Sequence, residues 1–163
     1  MTTIVTTPVA QVVVFQSTGP STITNTVTTP QLVVSGLATS PVFRTIEMKV
    51  ISDVTALLTG DLLTFCIPSD FGGMNLIDAD AYVTTVSSSG LPTVQIKNVT
   101  QGNVNMLTTP ITIDVGETTS YTAATPPVID TANDDVATGD LVTVNVPTNG
   151  TGAKGLGVIL RFA

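Results

Sequence analysis

Asp78 and Asp80 sit two residues apart in a stretch that alternates in polarity, so both carboxylates fall on one face of a strand. Two acids held side by side are the minimum equipment for glycosidase-like acid/base work. The plainer reading is a solvated strand face, because no aromatic cluster accompanies them to hold a sugar. A second oxygen-rich run, Asp130-Thr131-Ala132-Asn133-Asp134-Asp135, offers ligands that a calcium ion accepts. It lacks the glycine and the distant Glu of an EF-hand, and Asn, Asp and Thr are ordinary loop residues. Gly150-Thr151-Gly152-Ala153-Lys154-Gly155 has a glycine-rich, phosphate-loop look without the required spacing or a following helix, and the expectation is a hairpin turn.

Other chemistry is bounded quickly. The chain has no histidine, which removes Ser-His-Asp and Cys-His catalysis and imidazole metal sites. Its one cysteine, Cys66, excludes an intrachain disulfide and has no cationic sequence neighbour to activate the thiol; the strand phase leaves it half-buried or under a partner. Asn98-Val99-Thr100 fits a glycosylation acceptor, but no secretion signal is expected at the N-terminus. No catalytic, cofactor-binding or metal-binding residue is therefore assigned.

The element that positions these groups is a duplicated segment. Thr59-Gly60-Asp61-Leu62-Leu63-Thr64-Phe65-Cys66-Ile67-Pro68 returns 79 residues later as Thr138-Gly139-Asp140-Leu141-Val142-Thr143-Val144-Asn145-Val146-Pro147. Thr-Gly-Asp is turn chemistry, and turn formation accounts for both Asp61 and Asp140. Six alternating residues follow, with Leu63, Phe65 and Ile67 on one face and Val142, Val144 and Val146 on the matching one. Proline then stops each strand. Each copy leads through a loop to a returning strand, which predicts two equivalent hairpins in one sandwich.

Around this pair the alternation predicts six more strands. Ile46, Met48 and Val50 mark the first. Ile77, Ala79, Ala81 and Val83 lie opposite Asp78, Asp80 and Tyr82 in another. Val94 and Ile96, then Val104 and Met106, then Ile111, Ile113 and Val115 mark three more, and Leu156, Val158, Leu160 and Phe162 the last. Residues 116–139 read as a long irregular connection, and helical spacing never persists. The fold class is all-β: an eight-stranded antiparallel jelly-roll-like sandwich with an extended β-rich N-terminal segment. Residues 43–163 form the sandwich. Residues 1–42 are an uncharged Thr/Val/Pro-rich arm or small β extension. Val5-Thr6-Thr7-Pro8 recurs in it as Val27-Thr28-Thr29-Pro30. Open neutral strands invite pairing, so the arm packs either on its own body or on a neighbouring subunit.

Length and charge narrow the partners. A chain of 163 residues buries roughly 70% of its unfolded surface, enough for a core without metal or disulfide. Net charge is −7, and the five basic residues, Arg44, Lys49, Lys97, Lys154 and Arg161, are scattered. No patch exists to follow a phosphate backbone, so no nucleic-acid partner is expected. No apolar run is long enough to span a bilayer, so no membrane partner is expected either.

Four segments carry a resemblance. They are Gly72-Gly73-Met74-Asn75-Leu76-Ile77-Asp78-Ala79-Asp80-Ala81-Tyr82-Val83, Ile111-Thr112-Ile113-Asp114-Val115-Gly116-Glu117-Thr118, Val128-Ile129-Asp130-Thr131-Ala132-Asn133-Asp134-Asp135-Val136 and Lys154-Gly155-Leu156-Gly157-Val158-Ile159-Leu160. Together they resemble small structural proteins of tailed-bacteriophage particles, over residues 43–163. The resemblance implies a jelly-roll body, commonly trimeric, placed on the capsid as a cement or decoration protein or built into a head fibre. The expectation is a non-enzymatic virion protein that needs no cofactor. It assembles in the host cytoplasm as a homo-oligomer, a trimer, and contacts the major capsid protein. The alternative is a fibre or receptor-binding module for host-surface carbohydrate, for which only Tyr82 and Tyr121 offer a polar aromatic handle. An enzyme using Asp78 and Asp80 is the third reading.

Overall fold

A computed structural model describes residues 42–163. The expected arm, Val42 aside, lies outside these residues, as do its two Val-Thr-Thr-Pro tetrapeptides. The described chain is an all-β antiparallel sandwich. Alternating apolar and polar residues build its long strands, because successive side chains point to opposite faces. These are β1 (Arg44–Ala56), β2 (Gly60–Cys66), β3 (Met74–Thr85), β4 (Thr93–Asn98), β10 (Leu141–Thr148) and β11 (Lys154–Phe162). Short pieces lie between: β5 (Val104–Asn105), β6 (Leu107–Thr109), β7 (Ile111–Thr112), β8 (Val128–Ile129) and β9 (Asp135–Val136). The only helical turns among the described residues are single 3-10 turns at Ser69–Phe71 and Ser120–Thr122.

One sheet has the order β1-β11-β3-β9 and the other β2-β10-β4-β5, with β7 also beside β4. β6 and β8 form a separate two-stranded ribbon. The pairing is nested: β1 with β11, β2 with β10, β3 with β9, β4 with β5. The two sheets close on one core. Leu76, Val158, Leu160 and Phe162 meet Val94, Ile96, Val142 and Val144, and each is fully buried. Phe162 packs edge-on against Phe71, ring centroids 5.4 Å apart.

Four expectations change. Eleven strands replace eight, because the 104–115 stretch breaks into three short strands and the 116–139 connection supplies β8 and β9. The duplicated segments are not hairpins. β2 and β3 belong to different sheets, as do β10 and β11, so each strand–loop–strand copy crosses from sheet to sheet. The two motif copies pair with each other instead, Val142 opposite Phe65 and Val144 opposite Leu63. Pro147 does not stop its strand: it lies within β10, where the register with β4 jumps between Asn145 and Thr148. A proline fits there because a bulge asks for no ladder hydrogen bond. Finally, Ile77 is not on the core face. The β3–β11 register slips between Arg161↔Asp78 and Phe162↔Leu76, which buries Leu76 and leaves Ile77 41% exposed. One extra residue at a bulge reverses the phase of everything beyond it.

Candidate functional site

The two carboxylates with which the chemistry began stand on the outer face of the β1–β11–β3 sheet. Three rows cross it: Thr45–Arg161–Asp78, Glu47–Ile159–Asp80 and Lys49–Gly157–Tyr82. Asp78 pairs with Arg161 directly opposite, 3.1 Å away. Asp80 accepts a hydrogen bond from Ser120 Oγ at 2.8 Å, and that oxygen in turn accepts one from the Ala81 backbone N–H at 3.0 Å. Ser120 therefore pins the 3-10 turn Ser120–Thr122 onto β3. Burial pushes the Asp80 carboxyl above its ordinary value, with the neighbouring Asp78 charge adding to the rise against the lowering influence of Ser120 and Arg161.

Tyr82 lies over Gly157, where a side chain would collide with the ring. The Lys49 ammonium sits 5.0 Å from the ring centroid, and the Tyr82 hydroxyl donates to Glu47 Oε1 at 3.2 Å. Desolvation, followed by the bond to Glu47, raises the phenol's pKa. Tyr82 is thus committed within the sheet. Tyr121, on the 3-10 turn, is 67% exposed.

The outer face of the second sheet carries a smaller polar row. Asp61 on β2 accepts from Asn145 on β10 at 2.6 Å and from Lys97 on β4 at 3.3 Å. The Asn145 bond is the main reason that its pKa is lowered. Asp140, at the same motif position, does something different. It is buried, and its Oδ2 accepts from Asn98 Nδ2 at 2.9 Å, from the Ala137 N–H at 2.9 Å and from Gln101 Nε2 at 3.4 Å. The turn reading holds for Asp140, whose N–H also closes onto the Ala137 carbonyl, whereas Asp61 reaches across the sheet.

The remaining candidates are dispersed. Asp130 caps its own loop through the Ala132 N–H and Asn133 Nδ2, while Asp135 is held by Gln101. Asp130, Asp134 and Asp135 do not converge, and no group of three or more His, Cys, Asp or Glu among the described residues is placed to hold a metal. Asn98 is fully buried with its amide spent on Asp140, which leaves nothing accessible for a glycan. The Gly150–Gly155 loop is an inter-sheet crossover, not a hairpin. It is tied to the Ser87–Gly90 turn by Thr151 N–H to the Ser89 carbonyl at 2.8 Å and Ser88 N–H to the Thr151 carbonyl at 2.9 Å. Cys66 is exposed on β2. The Asp140–Asn98 and Asp80–Ser120 pairs were not legible beforehand, since their partners lie 42 and 40 residues apart with no local pattern linking them.

Compared with known proteins, the chain matches no family model, no curated protein and no solved structure.

Proposed function

We propose that this chain is a structural protein of a tailed-phage particle, a capsid cement or decoration protein acting as a homotrimer on the major capsid protein. The observation that carries the reading is the nested strand order, β1 with β11, β2 with β10, β3 with β9 and β4 with β5. We read that order as a jelly roll, the body that the resemblance of residues 43–163 implies. The bracing roles of Asp78, Asp80 and Asp140 agree with it, since each carboxylate holds one part of the fold to another. In this reading three subunits close around a symmetry axis and bury apolar area that one leaves open. Each trimer then engages several capsid sites at once, and weak single contacts gain by effective concentration. The particle is the place of function, reached by assembly in the host cytoplasm.

Sedimentation of the purified chain, alone and with emptied phage heads, tests this. A trimer that pellets with the heads and raises their disruption temperature supports the proposal. A monomer that leaves the heads unchanged overturns it, and specific capture on a glycan array would move the protein to the receptor-binding class.

A further inference from the structure

Three connections gather at one end of the sandwich. They are 57–59 between β1 and β2, 86–92 between β3 and β4, and 149–153 between β10 and β11. Hydrogen bonds tie them into one platform. The Leu57 N–H donates to the Ala153 carbonyl at 2.9 Å, and Asn149 Nδ2 donates to the Leu57 carbonyl at 2.9 Å. Thr148 Oγ1 donates to the Leu91 carbonyl at 2.7 Å, and the Thr151 N–H donates to the Ser89 carbonyl at 2.8 Å. Leu57 and Ala153 are buried and plug the end of the core. Two other leucines point outward. Leu58, before β2, is 59% exposed, and Leu91, before β4, is 43% exposed. They flank Thr148 and Asn149, because β2 and β4 lie on the two sides of β10.

The platform carries no charge. Residues 54–60, 86–96 and 141–153 contain no Asp, Glu, Lys or Arg, in a chain of twelve acids and five bases. The acids that border the platform are occupied at home. Asp53 pairs with Lys49, and Asp61 with Lys97. Asp114 accepts from the Ala124 N–H, and Glu117 accepts from Thr122 Oγ1. Lys154 begins β11 beside it. The opposite end is different: Arg44 opens β1, Asp70 follows β2, and Asp135 and Asp140 stand at β9 and the start of β10.

This contrast selects the occupant. A phosphate, a metal ion or a charged peptide needs counter-charge, which the three loops do not supply. A stacked sugar needs an aromatic ring, and the loops hold none. A second copy of the chain has the reverse requirement. Near the axis of a cyclic oligomer each residue meets its own counterpart. A charge there faces an equal charge, which repels at contact distance even in salt. With a net charge of −7, this protein needs a neutral surface for that contact. Leu58 and Leu91 supply apolar area to desolvate, and the Ser88, Ser89 and Thr151 hydroxyls supply a polar rim. The ties between the loops leave little ordering to be done on association. We propose that this end of the sandwich is the self-association surface, with Leu58 and Leu91 of each copy packed about the symmetry axis. The inference rests on the homo-oligomer of the proposed function and names the surface that closes it.

Sedimentation of the full chain over a dilution series tests this. Leu58→Asp and Leu91→Asp place like charges at the axis and should raise the dissociation constant on the order of 100-fold or more. Val99→Asp, at an exposed apolar position that follows β4 at the opposite end, should leave it unchanged. A second arm does not depend on tolerance of a charge. In a Cys66→Ser background, Leu58→Cys should form disulfides between chains on mild oxidation, and Val99→Cys should not. Unchanged association in both aspartate variants, or no cross-link at Leu58, overturns the inference and leaves the homotrimer to another surface. An unaltered chain that is monomeric at every concentration overturns the homotrimer with it. A chain whose association is lost on Leu58→Asp but that never pellets with phage heads supports this inference and removes the decoration role, so the two readings fail separately.

Discussion

Tyr82 lies over Gly157, its register partner on the central strand β11, where the missing side chain leaves room for the ring. A methyl group added at Gly157 forces the ring away, and with it the contact to Lys49 and the bond to Glu47. Those are worth about 0.5–1 kcal/mol each at a surface. Against this, removing a glycine from a strand gains roughly 0.5–1 kcal/mol. Gly157→Ala should therefore be destabilising or neutral in the native background and stabilising in a Tyr82→Ala background. A double-mutant cycle in urea measures the difference, and a cycle with no coupling would show that the ring does not depend on the glycine.

Asp140 and Asn98 make a second strong expectation. Asp140 is buried and accepts from a side-chain amide, a second amide and a backbone N–H across two loops. Asp140→Ala strands those donors away from water, at about 1–3 kcal/mol for each one left unpaired. The equivalent change at exposed Asp61, Asp61→Ala, loses the Asn145 hydrogen bond and the Lys97 ion pair, both at the surface where water replaces them, and should cost about 1 kcal/mol or less. Equal losses at the two positions would show that the motif aspartates share one role.

The contrast between Asp140 and Asp61 also marks how far the sequence could be read. Alternation named the core faces of β10 and β11 correctly, with Val142, Val144, Val146, Leu156, Val158, Leu160 and Phe162 all buried, because the register irregularities of these two strands leave their own alternation unbroken. It misplaced Ile77, because a bulge is a property of two strands in register and leaves no trace in one. The repeat was visible, but its geometry was not: sequence equivalence does not say whether two copies sit in separate hairpins or against each other. For the candidate site, the shared face of Asp78 and Asp80 followed from spacing alone. Their partners, Arg161 and Ser120, came from distant strands and turns that only the topology brings near.

Acid should act on the two polar faces with opposite signs. The folded state raises the Asp80 pKa, so it binds the proton more tightly than the unfolded chain does. Ionising Asp80 therefore costs stability as pH rises from near the ordinary aspartate value of 3.8 through the raised folded value. The folded state lowers the Asp61 pKa, so that residue contributes stability above about 3.8, which is lost as pH falls through the lowered value. Asp80→Asn should stabilise the protein at pH 7 relative to pH 3, and Asp61→Asn should do the reverse. Melting temperatures of both variants across pH 2.5–7 check this; parallel curves for the two would contradict the assignment.

Burial rather than charge should set the stability of the edge where the chain enters the sandwich. Phe162 is fully buried and meets Phe71 edge-on, while half-buried Arg44 approaches the Phe71 ring at 5.9 Å and pairs with exposed Asp70 at 3.3 Å. Phe162→Ala removes a buried ring from a packed core and should cost about 3–5 kcal/mol. Arg44→Ala removes a partly solvated ion pair and a cation–π contact at the rim of the core, together about 1–2 kcal/mol. Urea midpoints at unchanged slope measure both losses. The ordering is the decisive feature: an Arg44 effect as large as that of Phe162 would mean that the entrance to β1 is held by its guanidinium, and that the T-shaped ring pair beneath it is incidental.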